Sequence, residues 1–191
     1  MATYLFGLFM VVMPSVLDPV PYEGFQSFLM LIFLVTFLLP VVNILMFKLF
    51  GSISSLAMPH RRERIVPFIL ITLLYCAMTY LFHQKVRMDW NDNFIKLLII
   101  IDALVIMSML ATFFYKVSVH SLSVCGLIGI VLPLNKIAEE NSIFYSTLAL
   151  IVIAGVVMSA RLQLNAHTPR EVLVGSVLGF TTSFAGMLIL F

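Results

Sequence analysis

Apolar residues run along this chain in long unbroken blocks, not in the alternation of a half-buried strand or the one-sided stripe of a surface helix. The blocks cover residues 4–17, 25–50, 65–82, 94–114, 117–134, 143–160 and 172–191. Most reach the roughly 17–25 residues with which a helix crosses the hydrocarbon of a bilayer. The first is short and runs into Pro14, Asp18, Pro19 and Pro21. It stretches across, tilts in halfway or lies at the interface, and so decides between six and seven crossings. The predicted fold is all-α: a polytopic transmembrane helix bundle of six or seven spans, forming a single transmembrane domain over residues 1–191.

The breaks between blocks refine this picture. Residues 18–24 and 84–93 are rich in turn formers, and Trp90, the only tryptophan, sits in the second of them as an interfacial anchor would. Pro40 interrupts the second block, and Asn43 is the nearby side chain proposed to satisfy the carbonyl that the proline frees. Gly175 and Gly179 form a GxxxG in the last block, read as helix packing within the chain in preference to dimerisation. His83 is read as structural, and Lys136, Glu139 and Glu140 as a solvated connection. Asp102 is an ionisable group inside a predicted span, costly there and either functional or hydrogen-bonded to a neighbouring helix.

Composition agrees with a lipid environment. The 191 residues are 62% apolar and 10% charged, with a mean hydropathy of +1.12, and so few charges cannot clothe a soluble protein of this size. The net charge of +2 comes from short clusters without interleaved aromatics, which argues against nucleic acid as a partner. Cys76 and Cys125 lie in apolar blocks and read as small packing residues. The start of the chain lacks the basic segment and cleavage site of a signal peptide and is expected to be retained.

Alternate connections must lie on opposite faces of a bilayer. One face receives residues 51–64, 115–117 and 161–171, and with them Lys48, Arg61, Arg62, Arg64, Lys116, Arg161 and Arg170, opposed only by Glu63 and Glu171. His60, His120 and His167 fall on that face too; the other face is close to neutral or acidic. Cytoplasmic connections carry excess Lys and Arg for topological reasons alone, which accounts for the arginines but not for the histidines. Two histidines each within a few residues of a cation make a candidate phosphate site.

The two settings are Lys116-Val-Ser-Val-His120-Ser121 and Arg161-Leu-Gln-Leu-Asn-Ala-His167-Thr-Pro-Arg-Glu171. They resemble the second and third signatures, P-S-G-H and S-R-x5-H-x3-D, of the type 2 phosphatidic acid phosphatase superfamily, membrane lipid phosphatases with a haloperoxidase-related core. The third spacing is kept, with Ala160 in place of serine and Glu171 in place of aspartate. The second matches at Ser118 and His120, with Val117 and Val119 where proline and glycine are expected. The first signature, K-x6-R-P, has only a loose counterpart in His60-Arg-Arg-Glu-Arg64-Ile-Val-Pro67. The resemblance implies a divergent member whose phosphatase-like core covers about residues 94–191.

It further implies hydrolysis of a lipid-linked phosphate or pyrophosphate, with the bilayer supplying the substrate. His167 would be the nucleophile, forming a phosphohistidine, and His120 the general acid. Glu171 would orient His167. Arg161, Lys116 and Ser118 would bind the phosphate, helped by Arg61, Arg62 or Arg64. The chemistry is coherent in itself, because phosphoryl transfer needs cations around the equatorial oxygens, an in-line nucleophile and an acid for the leaving oxygen. No metal or other cofactor is called for. Thr168-Pro169-Arg170-Glu171 also reads as a capping box, so Glu171 has a structural reading beside the functional one. The expected location is a bacterial cytoplasmic membrane, with orientation open because a phosphate site is itself basic. The alternative is a catalytically silent protein that uses the same pocket for anionic lipid or a partner protein; a proton-coupled transporter built around Asp102 is the third reading.

Overall fold

The computed structural model describes residues 1–56, 58, 60–136 and 141–191, without the side chains of 141 and 142. Glu139 and Glu140 lie outside the described residues. Those described form helices and connections and no strand, so the chain is all-α. Five helical stretches are long and apolar enough to cross a membrane: Tyr22–Leu49, Arg61–Lys85, Asn93–Phe114, Ile143–Gln163 and Pro169–Leu190. The protein is an integral membrane protein. Two apolar helices, Ala2–Val12 and Val119–Leu134, are shorter. At 1.5 Å per residue the first is only about 16 Å long, roughly half the hydrocarbon thickness.

The chain divides into two compact units, Ala2–Phe114 and Tyr115–Phe191. In the first, α1 (Ala2–Val12) is followed by a 3-10 turn at Pro14–Leu17. Then α2 (Phe25–Phe33), a π turn (Leu34–Leu38) and α3 (Leu39–Leu49) run on as one apolar stretch. The unit is completed by α4 (Arg61–Lys85) and α5 (Asn93–Phe114). Four rings, one each from α1, α2, α4 and α5, gather at one end of it: Phe94 lies 5.1 Å from both Phe6 and Phe82 and 5.7 Å from Phe28, centroid to centroid. Such offset and edge-on pairs add to the burial of the rings themselves.

Pro40 has no N–H, and its ring crowds the carbonyl of Thr36, four residues back. The π turn just before it widens the backbone. The Tyr75 hydroxyl of α4 donates to Thr36 O at 3.0 Å. The freed carbonyl is therefore satisfied from a neighbouring helix and not by Asn43, the residue that sequence suggests. His83 holds the chain that follows α4, its Nδ1 2.8 Å from Met88 O, and stacks on Trp90 with centroids 4.0 Å apart. His83 thus has the structural place read for it.

The second unit holds α6 (Val119–Leu134), α7 (Asn141–Gln163) and α8 (Pro169–Leu190). Helices α6 and α8 lie side by side at backbone distance. A Cβ on Gly179 would overlap the carbonyl of Leu122, and one on Gly175 would come to 2.6 Å from Ser118 O. From the other side, a Cβ on Gly129 would overlap Ser183 Oγ and approach Phe180 O to 2.7 Å. Contacts that rise together in number along both helices make them parallel, and the GxxxG is spent on this packing within the chain. Helix α7 connects them in the chain and packs mainly on α6, tied to its end where Asn135 Nδ2 donates to Thr147 Oγ1 at 2.8 Å. Cys76 and Cys125 are free thiols.

A candidate phosphate site at the paired starts of two parallel helices

Because α6 and α8 are parallel and in contact, their N-terminal ends stand together, and with them Lys116, Ser118, His167 and Glu171. The turn from α7 into α8 sets the spacing of Arg161 and His167. The Ala166 amide donates to Arg161 O at 3.2 Å and the Asn165 amide to Leu162 O at 3.0 Å. Asn165 adopts φ +50°. These paired bonds around a left-handed residue are a Schellman motif, with asparagine where glycine is commonest. The motif stops α7 just past Arg161 and delivers His167 directly before the next helix.

That helix opens with Thr168 as N-cap and Pro169 at its first position. Thr168 Oγ1 accepts from the Glu171 amide at 3.3 Å, and Glu171 Oε2 accepts from the Thr168 amide at 3.2 Å, completing the capping box. The same Oε2 lies 2.8 Å from His167 Nδ1. One carboxylate therefore both closes the cap and contacts His167. The longer glutamate reaches both groups because His167 occupies the position just before the cap. Side chains of His167 and Glu171 retain 7% and 11% of their exposure, so this hydrogen bond is shielded from water.

Helix α6 opens with Ser118 as N-cap. Its hydroxyl accepts from the Ser121 amide at 3.4 Å and pairs with Ser121 Oγ at 2.8 Å, and the residue is fully buried. Ser118 thus serves the start of the helix. The two helix starts are joined directly. The Ser118 amide donates to Glu171 O at 3.2 Å, and Lys116 Nζ donates to Ala166 O at 3.3 Å while standing 4.0 Å from Glu171 Oε2. His120 is the second residue of α6 and is exposed. Val117, where the family pattern has proline, is buried beside Gly175.

Lys116, Ser118, His120, Arg161, His167 and Glu171 all belong to this unit. Arg61, Arg62 and Arg64 belong to the other, in the first turn of α4. Arg64 is buried there, its Nε donating to Met58 O at 2.9 Å. Asp102 also lies in the first unit, buried in α5 beside Thr79 of α4. Sequence reasoning gave no part to Asn165, Ala166 and Ser121, which build the turn before His167 and the start of α6. Asn165 carried the one available signal, as the residue type that best tolerates a left-handed backbone after glycine.

Electrostatically the cluster suits an anion. Two helix N-termini point the positive ends of their dipoles the same way, and Lys116 and Arg161 add full charges nearby. Among the described residues the carboxylate at these helix starts is Glu171, and it is occupied by His167 and the Thr168 amide. Compared with protein-family models, with curated proteins and with solved structures, the chain matches none.

Proposed function

We propose that the Tyr115–Phe191 unit is a membrane phosphatase site of the type 2 phosphatidic acid phosphatase kind, hydrolysing a lipid-linked phosphate or pyrophosphate through a phosphohistidine. The observation that carries this reading is the 2.8 Å contact of Glu171 Oε2 with His167 Nδ1, inside an R-x5-H-x3-E segment whose spacing is made by a Schellman turn and a capping box. A carboxylate on Nδ1 fixes the tautomer in which Nε2 presents its lone pair, the orienting role of the acid in a catalytic triad. Nε2 of His167 attacks phosphorus in line, and the bond to the lipid oxygen breaks. His120 gives that oxygen its proton. Water then attacks the phosphohistidine, returning a proton to His120 and releasing inorganic phosphate. Arg161 and Lys116 neutralise the charge spread over the equatorial oxygens.

The reading includes six crossings: the continuous Tyr22–Leu49 stretch and α4, α5, α6, α7 and α8, with α1 not crossing. Helix α6 has only 16 residues, but it lies parallel to α8 along its length, and parallel neighbours joined by one returning helix traverse the same thickness. The proposed setting is a bacterial cytoplasmic membrane. The test is covalent trapping: protein quenched during turnover of a lipid phosphate carries an added phosphoryl group on His167, seen by mass spectrometry and absent from His167→Ala. A second reading, a silent protein that holds an anionic lipid in the same place, is favoured by Lys116, whose ammonium already serves Ala166 O. It predicts phospholipid binding with no trapped phosphate.

A further inference from the structure

An apolar groove of about 350 Å³ runs along the first unit between the α2–α3 stretch and α4. Leu31 and Val35 form one wall, and Leu74, Met78 and Leu81 the other; Lys85 lies at its end. From Leu74 to Lys85 the groove follows α4 for roughly 16 Å. That is about half of the ~30 Å hydrocarbon thickness, the depth of one leaflet. The end at Lys85 is two residues from His83, which stacks on Trp90, a ring pair of the kind that sits at a membrane interface.

Charge decides what the groove takes. Lys85 is exposed, and among the described residues it makes no ion pair. Asp89 and Asp92, further along the same connection, form no ion pair with it among the described residues; Asp92 Oδ2 accepts from the Asp89 amide at 2.7 Å and Asp89 Oδ1 from the Asn91 amide at 3.1 Å. Arg87 stands two residues on, also exposed. A cation on an apolar stem, at the interface end of a groove one leaflet deep, is complementary to one class of molecule. We infer that this groove binds an anionic glycerophospholipid, with an acyl chain laid between Val35 and Met78 and its phosphate group at Lys85. The site uses none of the residues of the proposed phosphatase centre and stands or falls independently of it.

The test is native mass spectrometry of the detergent-solubilised chain with equal amounts of phosphatidylglycerol and phosphatidylcholine carrying identical acyl chains. The expected spectrum retains one phosphatidylglycerol in at least fivefold excess over phosphatidylcholine. Lys85→Ala abolishes the preference while leaving some lipid bound, and Ala77→Phe, which fills the groove, removes the retained lipid. Helical circular dichroism of both variants controls for folding. Equal retention of the two lipids, a preference unchanged in Lys85→Ala, or a second copy of the chain in place of lipid would overturn the inference.

Discussion

Glu171 and His167 share one oxygen's worth of structure: Oε2 sits 2.8 Å from His167 Nδ1 and 3.2 Å from the Thr168 amide. The carboxylate that closes the first turn of α8 is the same one that holds the imidazole, so helix start and candidate nucleophile are locked as a piece. Substitutions can separate the two roles. Gln at 171 still completes a capping box but carries no charge to stabilise the imidazole. On the proposed phosphatase reading, Glu171→Gln is expected to keep the thermal midpoint while lowering kcat by about 10²–10⁴-fold. Glu171→Ala should also lose about 1 kcal/mol of stability with the cap. Paired melting and turnover measurements read both.

The Schellman turn makes a second, purely structural prediction. Asn165 sits at φ +50°, a conformation that costs most L residues roughly 1–2 kcal/mol. Asn165→Gly should therefore match or slightly exceed the native stability, and Asn165→Val should fall by about 1–2 kcal/mol, measured by thermal unfolding in detergent.

Packing of α6 on α8 makes a third. Gly179→Ala places a methyl on the Leu122 carbonyl, backbone that cannot rotate away. It should cost about 1–3 kcal/mol. Gly155→Ala, where a Cβ meets nothing within 4 Å, should cost nothing measurable. Comparing the two melting curves checks that the loss is steric and not a general effect of glycine replacement in a membrane helix.

A fourth concerns Tyr75 and Pro40. Tyr75→Phe leaves Thr36 O beside the proline without its donor, a loss of about 1–3 kcal/mol for a buried acceptor. In a Pro40→Ala background the restored amide can serve that carbonyl, so the same change should cost less. A double-mutant cycle that came out additive would contradict the assignment.

Much of this was legible beforehand, and the limits have physical causes. Helix positions followed from the apolar blocks, since a bilayer demands length and hydrophobicity that a sequence displays openly. The Thr168–Glu171 capping box and the packing glycines Gly175 and Gly179 were readable because each depends on near neighbours or on one residue type. The donor for Thr36 O was not, because Tyr75 comes from another helix 39 positions away. Crossing number does not follow from length alone, since five stretches reach spanning length while α1 ends at Val12 and α6 spans 16 residues. Ser118 was readable as a polar residue near the candidate site, but its full burial was not, because α8 lies against its backbone. Nothing in the apolar pattern marked the division near Tyr115 into two units.

The most direct test of the phosphatase reading is release of inorganic phosphate by the purified chain in detergent. The panel would include phosphatidate, phosphatidylglycerophosphate and a polyprenyl pyrophosphate, with His167→Ala and His120→Ala alongside. The account predicts release from at least one of them, abolished by His167→Ala and reduced by roughly 10²–10⁴-fold in His120→Ala, the usual contribution of a general acid. Folded native protein that releases no phosphate from any lipid, or His167→Ala that releases it at the native rate, would contradict it.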